Sequence, residues 1–222
     1  MEKPFRVNGK AVWGSGIVLA ALLALAAIAA GCGKATEGQA PVFLVIQELA
    51  GSSGADPGAF SDTVTSDVLT YVKTTDPGGQ TVYVATRFQD LGRVRMHVEM
   101  KDIGRPGSPN SPSANNQVVI ERYHVTFIRS DGRNTPGVDV PYGFDGMMTG
   151  TVGADIGQFI FPLVRASAKT EPPLAALVGG GGAQHISAIA QVTFYGHDYA
   201  GNAITVAGAL TVDFADWGDP SS

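Results

Sequence analysis

The side chains with chemical potential are few and widely spaced. Cys32 is the sole cysteine among 222 residues, so the chain cannot form an intramolecular disulfide. His97 and His124 fall on strand-like segments and could share a metal only if those strands paired. Two imidazoles without a third ligand nearby make a poor site, and exposed sheet histidines are ordinary. Asp131-Gly132-Arg133-Asn134 and the stretch Asp198 to Asn202 hold oxygen ligands of the kind Ca²⁺ accepts, but lack the spaced acidic series of a calcium loop. Both are read as turns. Gly179 to Gly182 lacks the Lys-Ser/Thr of a phosphate loop and is read as a helix stop. Gly51-Ser52-Ser53-Gly54 lacks the spacing of a nucleophile elbow, and no His-Glu-x-x-His occurs. No residue is therefore assigned a catalytic or metal-binding role, and no cofactor is expected.

The segment Arg129 to Phe144 mixes charge, aromatic and turn residues around Pro136 and Pro141. Asp131, Arg133, Asp139 and Tyr142, with Asp145 just beyond, form a candidate recognition loop, since rigid scaffolds commonly display binding residues on loops. A polar loop that satisfies its own backbone is the plainer reading. A hydrolase built on Asp139 and Asp145 is the alternative; it requires a deep pocket with carboxyl groups ~5 to 10 Å apart. A calcium-stabilised module is the third reading.

These residues must be positioned by strands. Val, Thr, Gly and Pro are abundant and the whole chain is only 16% charged, a balance that favours strands joined by turns. Val42 to Leu49 is an apolar run that reads as a buried strand, and residues 51 to 62 read as a loop. One irregular strand is expected over residues 64 to 73, then a turn at Asp76-Pro77-Gly78-Gly79 and a strand over Thr81 to Thr86. Residues 93 to 101 alternate, with Val94, Met96, Val98 and Met100 on one face and charged residues on the other. That is the pattern of an antiparallel strand with one wet face. Residues 104 to 116 read as a long loop. Strands follow at Val118 to Arg129, Val138 to Val140, Gly146 to Val152 and Gln158 to Ser167, where Pro162 argues for an edge or bulge. Glu171 to Val178 reads as the one short helix. His185 to Tyr195 and Ala203 to Phe214 read as a long hairpin. About nine strands and one helical turn make an all-β, antiparallel sandwich.

The N-terminal segment carries a processing pattern. Lys3, Arg6 and Lys10 precede an unbroken apolar run of 14 residues, Ile17 to Ala30. As a helix it spans ~21 Å, short of the ~30 Å hydrocarbon core, so a permanent span is the weaker reading. The run ends in Ile28-Ala29-Ala30-Gly31-Cys32 and resembles the bacterial lipobox, with Ala29 where that motif most often has Leu. The resemblance implies cleavage between Gly31 and Cys32, acylation of the Cys32 thiol, and anchoring in a membrane. Gly33, where Asp would direct retention, implies the outer membrane of a two-membrane envelope. Two or more chains at ~0.8 kcal/mol per buried CH₂ anchor stably.

The expected organisation is thus a signal peptide over residues 1–31, a lipidated cysteine and short tether over 32–40, and a sandwich domain over 41–217. Without its leader the chain has 12 basic and 19 acidic residues. That balance gives no general attraction to phosphate backbones, so nucleic acid is not an expected partner.

A second resemblance lies at the C-terminal end. Val192 to Asn202, with Asp198, Gly201 and Asn202, is similar to the final hairpin of bacterial immunoglobulin-like and fibronectin-type domains. In those a strand ends in Asp-x-x-Gly-Asn and the last strand returns beside it. Asp is expected to cap the turn's amides, while Gly and Asn tolerate positive φ. Together the two resemblances imply a non-catalytic envelope module that binds a protein or glycan, or serves in a structural assembly.

Overall fold

The computed structural model describes residues 38–218. The leader, Cys32 and most of the tether lie outside the described residues. The chain forms an all-β sandwich of two sheets. In the first, β5 (Asp90–Met100) lies between β1 (Val42–Ser52) and β10 (Gly157–Val164), both antiparallel to it. The second has the order β2 (Thr63–Asp67), β12 (Ala203–Ala215), β11 (Ile186–Asp198), β8 (Val118–Ile128) and β9 (Phe144–Val152). Its pairs are antiparallel except β2 with β12, which run parallel. Two small hairpins are inserted: β3 (Thr70–Thr75) with β4 (Thr81–Thr86), and β6 (Gly104–Arg105) with β7 (Ser108–Pro109).

Alternation sends every second side chain into the space between the sheets. On β5 these are Val94, Met96 and Val98, and on β11 they are Ala188, Ala190, Val192 and Phe194, all buried. Each large apolar side chain removed from water contributes about 1.5–3 kcal/mol. In β8, Ile120 and Tyr123 both point inward although they are three residues apart. A register shift between Ile120 and Arg122 resets the phase. At the centre, Tyr123 packs on Phe161 with ring centroids 4.8 Å apart, and Phe161 meets Phe194 edge-on at 5.4 Å. Glycines make room for these rings: a Cβ on Gly146 would lie 2.2 Å from Tyr123, and one on Gly92 would lie 2.4 Å from Phe161.

Several sequence expectations hold closely. β4 and the hairpin β11–β12 fall where the alternation places them, and β10 is an edge strand with a register shift just after Pro162. Others need correction. The strand expected over 64 to 73 is two, β2 and β3, because Val68 and Leu69 are both buried and the chain bends between them. Val138 to Val140 is turn with a single bridge, Pro136 to Val140. The expected helix is only a 3₁₀ turn at Leu174–Leu177, after another at Ala166–Thr170. Between two prolines and four glycines too few residues remain to offset the cost of helix nucleation. The 104 to 116 loop holds β6, β7 and a third 3₁₀ turn, Ala114–Asn116, capped by Ser113.

Candidate functional site

The candidate recognition loop is largely occupied with itself. Asp131 receives the side chains of Arg129 and Arg133 and the Arg133 amide. These partners, the Arg129 hydrogen bond first, hold its carboxyl far below the usual carboxylate range. Asp139 accepts the Thr135 amide at 3.2 Å, and Tyr142 is exposed with its ring against Gly137. Asp145 stands on β9, outside the loop, paired with Arg122 and His124. Asp131 and Asp139 thus direct their carboxylates to groups of their own loop. Neither Asp139 nor Asp145 lines the cleft described below.

His97 and His124 do not face one another. β5 and β8 lie in different sheets, because the connection through residues 101–117 crosses from one sheet to the other. His97 bonds Glu99 at 3.0 Å and His124 bonds Asp145 at 3.1 Å. Among the described residues no three His, Cys, Asp or Glu side chains are grouped to hold a metal ion. Asp198 behaves as a turn residue. Its Oδ1 accepts the Ala200 and Asn202 amides and its Oδ2 the Asn202 side chain, each at 2.9 Å. Only Gly201 adopts positive φ (+85°); Asn202 serves as a donor instead. In the glycine run, the Gly179 amide donates to buried Asp216.

One surface feature was not revealed by sequence pattern. A cleft of about 460 Å³ is floored by β2 through Thr63, Val64, Thr65 and Asp67, and walled by loop residues such as Ser53, Asp56 and Ser61 on one side and Trp217 on another. Such a volume is ordinary for a binding site. Its charged lining residues are the carboxylates Asp56 and Asp67. Asp67 accepts the Trp217 amide at 3.0 Å and the Thr70 hydroxyl at 2.5 Å, which fixes the aromatic wall and the root of β3.

Beneath the cleft lies a buried charged cluster. Asp90 is wholly buried; its Oδ1 accepts Lys169 Nζ at 2.9 Å and the Gly54 amide at 2.8 Å, and its Oδ2 accepts the Ser66 hydroxyl at 2.5 Å. One carboxylate thus ties the loop wall (Gly54) and the floor strand (Ser66) to β5. Lys169 neutralises a charge that would otherwise be costly to bury. The loop is further clamped by paired Gly51 and Ser61 backbones and by Arg93 stacked 4.4 Å over Phe60. Trp217, the one tryptophan among the described residues, was the visible clue in the sequence.

Beside the cleft the β3–β4 hairpin projects with both faces in solvent, exposing Tyr71, Val72, Tyr83 and Val84. A two-stranded hairpin is marginal alone, so the rigid root at Asp67–Thr70 matters for its position. Comparison with known proteins finds no family model that matches this chain and no curated protein significantly similar to it.

Proposed function

We propose that this chain is a lipid-anchored envelope protein whose sandwich is a non-catalytic module for binding a partner. One observation carries the reading: Asp67 and Asp90 direct their carboxylate oxygens to fixed donors of the fold, the Trp217 amide and Thr70 hydroxyl for the first and Lys169, Gly54 and Ser66 for the second, and so give the surface its shape. What they build is an open cleft beside an exposed apolar hairpin, a combination suited to docking.

The strand order supports kinship with immunoglobulin-like domains. With the two inserted hairpins set aside, β1, β5 and β10 correspond to an ABE face, and β12, β11, β8 and β9 to a GFCC′ face. The anchor rests on the resemblance of residues 28–32 to a lipobox.

Labelling cells with a palmitate analogue should mark the wild-type protein and spare Cys32→Ser; equal labelling of both overturns the anchor. Crosslinking in the native envelope should yield a defined partner. Turnover of an envelope substrate by the purified protein, abolished by one acidic or histidine substitution, overturns the non-catalytic reading.

A further inference from the structure

We infer that the outer edge of β2 is a docking site for an extended, basic segment of a partner protein, which pairs with it and adds a strand to the five-stranded sheet. The inference rests on the binding-module reading and names the kind of partner.

The hydrogen-bond phase of β2 identifies the free groups. Thr211 donates to the Asp62 carbonyl and Ala215 accepts from the Val68 amide, and the parallel register pairs Thr211 with Thr63 and Asp213 with Thr65. In a parallel ladder of that phase, Val64 and Ser66 turn their amides and carbonyls toward β12. Thr63, Thr65 and Asp67 turn theirs the other way, into the cleft they line. The Thr63 carbonyl is taken by the Ser61 hydroxyl. Among the described residues the Thr65 amide and carbonyl and the Asp67 amide have no hydrogen-bond partner, and these groups would meet an incoming strand.

Edges of this kind are normally blunted. Here β10 carries Pro162 and a register shift, and β1 shifts register between Ile46 and Glu48. β2 has neither lysine nor proline and pairs with β12 without a shift. Its edge lies in a cleft lined by residues of the 53–62 loop and by Trp217. Asp56 and Asp67 on the lining, with exposed Asp62 beside it, favour a segment bearing Lys or Arg. β1 runs 11 residues, about 35 Å, from the tether end to this cleft. The cleft therefore lies at the opposite end of β1 from Val42. Main-chain pairing supplies affinity and the alternate side chains supply specificity.

The test titrates acetyl-(Lys-Val)₃-amide into the full chain in detergent, carrying Trp13→Phe so that Trp217 is its one tryptophan, and follows emission of Trp217. Saturable binding is expected, weakened by about tenfold or more when alternate peptide amides are N-methylated or when Glu replaces Lys. Thr65→Pro removes an amide that β12 does not use, so it should fold and bind at least about tenfold more weakly. If its circular dichroism shows misfolding, the N-methylated peptide decides. Absence of saturable binding, or binding indifferent to N-methylation, overturns the site. So does a native partner whose crosslinking survives in folded Thr65→Pro, although that result would leave the binding-module reading standing.

Discussion

Lys169 Nζ lies 2.9 Å from Asp90 Oδ1, and the two side chains are 1% and 0% exposed. Lys169 comes from a 3₁₀ turn and Asp90 from the first position of β5, so the pair joins segments 79 residues apart. Removing one partner leaves a buried charge without compensation. Lys169→Met or Asp90→Asn should each cost about 3–5 kcal/mol in urea unfolding. The double variant should cost less than the sum of the two single changes, as coupled neighbours do.

The same carboxylate positions the cleft, so its loss should reach the surface. In Asp90→Asn the Gly54 and Ser66 contacts weaken together. Hydrogen exchange across residues 53–62 should then accelerate more than exchange in β11 and β12, measured under conditions where the variant remains folded.

Asp198 makes stability depend on pH. Burial pushes its carboxyl up, but the Asn202 side chain and the Asn202 and Ala200 amides together outweigh that and hold it below its ordinary value. A carboxyl depressed in the folded state stabilises above its unfolded pKa of about 3.9, and the contribution is lost as pH falls through the folded value. Asp198→Ala should cost about 1–2 kcal/mol at pH 7. The gap from wild type should narrow as pH is lowered below about 4 in parallel denaturation series. A gap that stays constant down to pH 2 would contradict this account.

Gly146 and Tyr123 share one space. A Cβ at Gly146 would sit 2.2 Å from the Tyr123 ring, which is itself enclosed by Phe144, Phe161 and Phe194. Gly146→Ala should therefore destabilise by about 1–3 kcal/mol through overpacking. Adding Tyr123→Leu should recover part of that loss, measured as a non-additive double variant.

The β3–β4 hairpin should behave as an appendage. Its side chains are mostly in solvent, and the turn at Asp76–Gln80 is held by the Asp76 carboxylate and two backbone bonds. Limited proteolysis should cut first between residues 76 and 80 and leave the sandwich folded by circular dichroism. Tyr83→Thr should change global stability by less than about 0.5 kcal/mol.

What sequence alone determined was set by near neighbours. The alternation Val94, Met96, Val98 dictated β5; the long matched alternations dictated the β11–β12 hairpin; and Asp198 with Gly201 dictated its turn. In each case the deciding interaction lies two to four residues away, so the linear pattern contains it. Pro162 marked an edge for the same local reason, since a residue without an amide donor cannot sit inside a ladder.

What tertiary structure decided depended on partners tens of residues distant. The break at Val68, the phase reset in β8, the separation of His97 from His124 and the closure of the Arg129 to Phe144 loop upon itself all follow from which strands became neighbours. The cleft draws on residues 51 to 70 and 217 to 218, and the carboxylate that braces it is matched to an ammonium brought in by the far side of the chain. A buried charge must find its counter-charge in space, and spacing along the chain carries no record of that pairing.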